Sequence, residues 1–213
     1  MIFNFTKKHQ FTTNLRVNGS PIETVSETKL LGTYITSDLK WNKNTSELVK
    51  KAFQRMQLLY RSANFTSNRQ DLRKIYLTFI RSVLENSAVV WHSGLSIKNR
   101  LALERVQKAA VRLMMGGKYV DYKHGLTFLN IDDLNTRRKN LCLKFAKNCL
   151  KNKKVENMFP KNVTNHKMKK RKTEKFKKKL IKRSRFKKSA IPYMVDLLNK
   201  DAQEKKNILN NGP

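Results

Sequence analysis

The chain has 213 residues, and its 47 Lys and Arg stand against 15 Asp and Glu, a formal charge of +32. Such a charge repels itself and bears on partners more than on fold. Nucleic acid is the first partner it suggests, because phosphates release counterions to Lys and Arg; an anionic membrane surface is the second, although no run of about 18 apolar residues is present to span a bilayer.

The apolar and aromatic share of 39% is enough for a core, in one large domain or two small ones. The opening "MIFNFTKKHQ" has too short an apolar part for a signal peptide and no small-residue cleavage site after it, so the chain reads as not secreted and its Asn-x-Ser/Thr sequons as silent. "MIFNF" reads as a strand. "LRVNGSPIE" places Asn18-Gly19 between Val17 and Ile22, the signature of a hairpin. "KLLGTYIT" reads as a third strand, rich in β-formers. Three strands without partners make a poor core, so residues 1–41 are expected to pack least well.

From Asn44 the period becomes helical. Asn44 with Glu47 suggests a capping box, and Leu48, Phe53, Met56, Leu59 and Tyr60 a buried face. A second helix, capped by Ser67 with Gln70, carries Leu72, Ile75, Tyr76, Phe79, Ile80, Val83 and Leu84 at i, i+3, i+4 spacing. A third runs from about Ser96 to Met115 with Leu103, Val106, Ala110 and Leu113 inward, and Gly116-Gly117 ends it. A short helix covers Tyr122–Leu129. A long one begins near Asp132 and carries Leu134, Leu141, Phe145 and Cys149. Cys142 and Cys149 share roughly one side of it and read as reduced core residues, since a metal would need more ligands at tighter spacing.

Composition shifts near Lys151. Residues 161–188 hold fifteen Lys or Arg and one acid, Glu174. This run fits a solvated tail, and it equally fits a basic arm that orders on a phosphate backbone and serves as a nuclear localisation signal. "SAIPYMVDLLN" then reads as a short amphipathic helix.

Catalytic patterns are missing. The one adjacent acid pair, Asp132-Asp133, opens a helix, where negative charge complements the dipole. Phosphate-binding, dinucleotide-binding and nucleophile-elbow motifs do not occur. No catalytic residue and no metal ligand is assigned. Trp41, Tyr60, Tyr76, Trp91, Tyr119 and Tyr122 lie among basic residues, where bases could stack, but most fall on apolar helix faces; Trp41, beside Lys40 and Lys43, is the exception.

In order along the chain, "ETKLLGTYITSDLKW", "IYLTFIRSVLENSAVVWHSGL", "LERVQKAAVRLMMG", "LNTRRKNLCLKFAK" and "SAIPYMVDLLN" resemble blocks in the C-terminal part of non-LTR (LINE-type, jockey-like) retrotransposon reverse transcriptases. The resemblance implies the end of a polymerase palm, a primer grip, a thumb and a C-terminal region. The family is an RNA-directed DNA polymerase that uses Mg²⁺ held by paired aspartates; that hairpin, the fingers and most of the palm would lie upstream of Met1, so this chain is expected to be catalytically inactive and to hold no cofactor. Leu31 and Gly32 match the primer-grip pair, with Leu30 where the family usually has an aromatic residue. Arg81, Arg112, Arg137 and Arg138 match family positions on helices, open to phosphate contact or to surface ion pairs. Lys40 and Trp41, and Lys169, Lys170, Arg171 and Lys172 in the basic run, complete the candidate nucleic-acid contacts.

The expected fold is therefore mainly α with a small N-terminal antiparallel β element. It has residual palm strands over 1–43, a thumb-like helical domain over 44–150 and a basic, partly disordered arm over 151–188. A short helix over 189–199 and a disordered tail over 200–213 follow. The expected partner is RNA or an RNA–DNA duplex, with no membrane, in the nucleus. The alternative is an unrelated basic nucleic-acid-binding protein of nucleolar or ribosome-associated type.

Overall fold

The computed structural model of the chain describes residues 1–3, 14–66, 68–162, 174–180 and 184–210. It is mainly helical, with small antiparallel β elements near the N-terminus and a helix at the C-terminal end. Two compact units share the chain. One comprises residues 1–86 and 95–133, the other residues 87–94 and 134–213. The division thus falls at Asp133–Leu134, whereas the sequence reading places a boundary near Lys151.

In the first unit, Asn18-Gly19 turns β1 (Arg16–Val17) into β2 (Ser20–Pro21), as its chemistry predicts. "KLLGTYIT" is not one strand. It folds back at Leu31-Gly32, so that β3 (Glu27–Leu30) pairs antiparallel with β4 (Thr33–Thr36). Met1–Phe3 form no strand, and the rest of "MIFNF" lies outside the described residues. Strands β1, β2 and β3 are exposed throughout, and only β4 turns inward, burying Thr33. Among the described residues before α1, little core is contributed, as expected.

Helix α1 (Asn42–Phe65) begins at Trp41, which makes no side-chain cap. Asn44 is not a cap either: it is buried, and its Oδ1 accepts from the Tyr34 amide at 3.2 Å, fastening α1 to β4. The inner face is Asn44, Thr45, Leu48, Ala52 and Leu59, while Phe53 and Tyr60 point to solvent. One residue of helix is 100°, enough to swing Phe53 and Tyr60 off the face that Ala52 and Leu59 occupy.

Helix α2 (Arg69–Ile75) is capped by Asn68, whose side chain accepts from the Gln70 amide at 3.0 Å; Ser67 lies outside the described residues. The helical run continues through a π-helical stretch, Tyr76–Arg81, into α3 (Ser82–Glu85). Leu72, Tyr76, Ile80, Val83 and Leu84 are buried as expected, but the wider π turn leaves Phe79 half exposed.

In the second unit, α4 (Ala88–Trp91) runs into a 3₁₀ turn, His92–Gly94. The first unit resumes with α5 (Ile97–Met115), capped by Ser96 on the Asn99 amide and ended by Gly116 at φ 55°. Helix α6 (Tyr122–Leu129) crosses α5 closely at Gly125, where a Cβ would collide with Val111 Cγ1 and force the packing to shift. Gln107 is fully buried and ties this unit together: it accepts from the Tyr76 hydroxyl and donates to the Tyr122 hydroxyl and the Asp132 carbonyl, both at 2.9 Å. Burial and Glu104, which accepts from the Tyr122 hydroxyl, raise the pKa of that phenol far above its ordinary range. Arg73 closes α6, donating to the Leu129 and Asn130 carbonyls at 2.6 and 3.1 Å.

Helix α7 (Leu134–Cys149) presents Leu134, Arg138, Cys142, Ala146 and Cys149 inward, while Phe145 faces out. Both cysteines are free and buried, on the shared face their spacing suggested. Two described parts of the basic run, residues 161–162 and 174–180, are not a loose tail. Lys161 bridges to Phe176, and Phe176 is buried with both of its backbone groups hydrogen-bonded to the Asn199 side chain. After α8 (Ser184–Lys187), α9 spans Ala190–Asn210, well past the expected end at 199. The apparently polar tail is helical because its charges are used. Asp201 binds Lys147 of α7 at 2.7 Å and Lys205 one turn on at 3.7 Å, and Ala, Gln, Glu and Lys between them are good helix formers. Phe159, Phe176, Met194, Val195, Leu197 and Leu198 meet Cys142, Ala146 and Cys149 in this unit's core.

Two outcomes follow. Lys147 holds the Asp201 carboxyl below its ordinary range. Its stabilisation is therefore complete above the unfolded carboxylate pKa and is lost as pH falls through the lowered native one. Asp201→Asn should cost roughly 0.5–1 kcal/mol at neutral pH in chemical unfolding, a penalty that vanishes in strong acid. Burial pushes the Cys142 thiol up to about 11. It should resist a disulfide reagent in the folded chain at mildly alkaline pH and react on unfolding.

Candidate nucleic-acid interface

The two hairpins share one turn conformation and differ in its first residue. Asn18 and Gly19 have φ of 49° and 81°, and Leu31 and Gly32 have 47° and 83°. Both central residues of such a turn need positive φ, which suits Asn and Gly. A leucine there carries the left-handed penalty, about 1–2 kcal/mol. No burial offsets it, since Leu31 is 91% exposed. A bulky apolar side chain is thus held in solvent at a strained hairpin tip. Strain of this kind gathers at binding sites. Gly32 follows from its φ, not from a close approach: a Cβ would meet only Asn86 Nδ2, at 3.4 Å.

Beside this tip lies a cleft of about 600 Å³, walled by the β3–β4 hairpin, α1 and the residues of α3 up to Asn86. Its basic groups are Lys29, Lys50, Lys51 and Arg55, and Glu47 is the one acid in its lining. Helix α1 supplies most of them because Lys51, Gln54 and Arg55 fall on one flank, at i, i+3 and i+4. Arg55 is anchored by Nη1 donating to the Phe79 carbonyl at 2.6 Å, within the π-helical stretch. A guanidinium has further donors to offer. Lys29 and Lys43 lie 5.4 and 5.9 Å from the Tyr34 ring centre, and Lys43 is 3.6 Å from Glu27. The same flank of α1 continues past the cleft as Leu58, Arg61 and Phe65, all exposed. From Lys51 to Phe65 this strip is about 20 Å long. Cationic and apolar side chains alternate along it.

The other sequence candidates do not line this cleft. Trp41 is half buried at the start of α1. Lys40 pairs with Asp38 at 3.3 Å, and hydrogen bonds from the Thr36 hydroxyl and the Lys40 amide lower the Asp38 pKa. Arg81 is largely withdrawn from solvent and pairs with Glu85 at 3.6 Å. Arg112 is exposed beside the Tyr119 ring, at 5.9 Å. Arg138 is fully buried 5.6 Å from the Trp91 ring, so it serves neither as a phosphate contact nor in a surface ion pair. Its neighbour Arg137 is half buried. Lys169, Lys170, Arg171 and Lys172 lie outside the described residues. Lys29, Lys50, Lys51 and Arg55 escaped the sequence reading. The Lys50-Lys51 doublet with Arg55 was visible, but a solvated helix face carries the same pattern.

Among the described residues, no three of His, Cys, Asp and Glu come together as metal ligands would, and no helix is long and apolar enough to cross a membrane. No family model, curated protein or solved structure matches the chain.

Leu31→Asn should relieve the turn, raising stability by about 1 kcal/mol and slowing amide exchange in β3 and β4. If Leu31 serves binding, the same change lowers affinity for nucleic acid; a variant that is less stable would show that the leucine supports the fold.

Proposed function

We propose that this chain binds nucleic acid at the Leu31-tipped hairpin and the basic flank of α1, as the primer-grip and thumb side of a retrotransposon-type reverse transcriptase would hold a primer–template duplex. The observation that carries the reading is the exposed leucine in a strained turn beside four basic side chains. In this reading Lys29, Lys50, Lys51 and Arg55 contact phosphates, which positions a duplex without reading its sequence. Leu31 meets the sugar or base edge at the duplex end. The ordered sequence blocks supply the family, and with it a nuclear location.

The polymerase chemistry of that family needs paired aspartates on metal ions. Among the described residues no hairpin carries paired aspartates, so the chain is proposed to hold the duplex and not to extend it. The basic run over residues 161–188 supports a second reading, a nucleic-acid-binding module of unrelated origin.

Purified chain with a primed RNA template and Mg²⁺ or Mn²⁺ should add no nucleotide; incorporation that tracks the pure protein would overturn the proposed division of labour. Lys50→Glu with Lys51→Glu should weaken binding to an RNA–DNA duplex about tenfold or more and flatten the salt dependence by roughly two counterions. Replacing Lys169, Lys170, Arg171 and Lys172 by Gln should have the smaller effect. The reverse ranking would favour the second reading.

A further inference from the structure

The second unit has a groove of another character. It measures about 270 Å³ and lies between the turn at Asn157–Pro160, residues 177–179 and the first turns of α9. Met158, Pro160, Phe186, Ile191, Pro192 and Val195 form an apolar floor. Met158 and Phe186 keep 40% and 42% of their surface open to solvent, so the floor is accessible. The rim is basic. Lys178 is committed, bound to Glu174 at 2.5 Å and to Asp196 at 3.0 Å. Lys177 and Lys179 are exposed and have no acidic partner among the described residues. The groove sits on a clasped frame, because Lys177 donates its amide to the Pro160 carbonyl at 2.8 Å and Asn199 holds Phe176.

We propose that this groove docks a short acidic peptide segment, which inserts one bulky apolar side chain while its carboxylates meet Lys177 and Lys179. Size and charge select this occupant. The volume falls just below the range of about 300–1,000 Å³ that holds a drug-sized ligand, and suits a side chain entering from a surface. An apolar anchor in a pocket inside a polar rim is the usual centre of a protein interface. A second copy of this chain is disfavoured by a formal charge of +32 on each. Nucleic acid is disfavoured because the floor offers its phosphates nothing and, among the described residues, the rim holds only two uncommitted cations, Lys177 and Lys179. The proposal is independent of the duplex-binding reading, which concerns the other unit.

The test is fluorescence anisotropy of the full chain with a labelled Glu-rich nonapeptide carrying one central Leu, and with its twin carrying Ala. The Leu peptide should bind about tenfold tighter, the yield of burying one such side chain. Met158→Asp, at a half-exposed position, should erase that difference, and so should Phe186→Ser if the first variant fails to fold by circular dichroism. Lys177→Glu with Lys179→Glu should weaken both peptides. Equal binding of the two peptides, or a difference that survives the floor variants, overturns the proposal. So does a short single-stranded oligonucleotide whose binding is lost in Met158→Asp, which would assign the groove to nucleic acid.

Discussion

Excess positive charge is the constraint on which the rest of this structure depends. With 47 basic and 15 acidic residues, internal pairing leaves a net +32 to be placed on the surface. The few acids are therefore used at joints. Asp201 joins α9 to α7 through Lys147, and Glu174 with Asp196 holds residues 174–178 onto α9 through Lys178. Glu85 neutralises Arg81 where the π-helical stretch enters α3, and Glu27 meets Lys43 at the foot of β3. Each such pair is partly solvated and contributes modestly, while apolar burial supplies most of the stability. What remains is a basic surface, screened by small counterions until a polyanion displaces them.

Within that surface, placement separates a site from a background. Lysines scattered over helices bind any polyanion weakly. Lys29, Lys50, Lys51 and Arg55 instead converge on one cleft. That cleft rests on the part of the first unit with the firmest internal support. The buried Gln107 network holds the π-helical stretch against α5, and this stretch presents the carbonyl that positions Arg55. The hairpin beside it is joined to α1 by the Asn44–Tyr34 bond, by the Lys43–Glu27 pair and by Lys43 at the Tyr34 ring.

Much of the fold was legible because helical periodicity was strong. Tyr122–Leu129, the helix start near Ser96 and the Gly116 stop follow directly from residue chemistry. The misreadings have physical causes. Leu-Gly hid the second hairpin because leucine is a poor turn residue, and the same anomaly marks the site. Phe53, Phe79 and Phe145 read as inward because hydrophobicity ranks them above Ala52 and Ala146, yet small residues fill the faces where helices pack closely. Charge alone puts Arg138 outward, although its guanidinium lies against Trp91 inside the second unit. Residues 200–210 looked like a polar tail because a tether such as Lys147–Asp201 joins positions far apart in sequence. The cleft itself was the least legible part, since it exists only once the hairpin folds back toward α1.

Lysine footprinting by brief acetylation, read by mass spectrometry with and without an RNA–DNA duplex, tests the central claim most directly. Lys29, Lys50 and Lys51 should become protected at substoichiometric salt-sensitive occupancy, while Lys74 and Lys98, exposed on other elements of the same unit, should stay reactive. Uniform protection of all five, or protection of Lys74 and Lys98 alone, would contradict a site at the Leu31 hairpin.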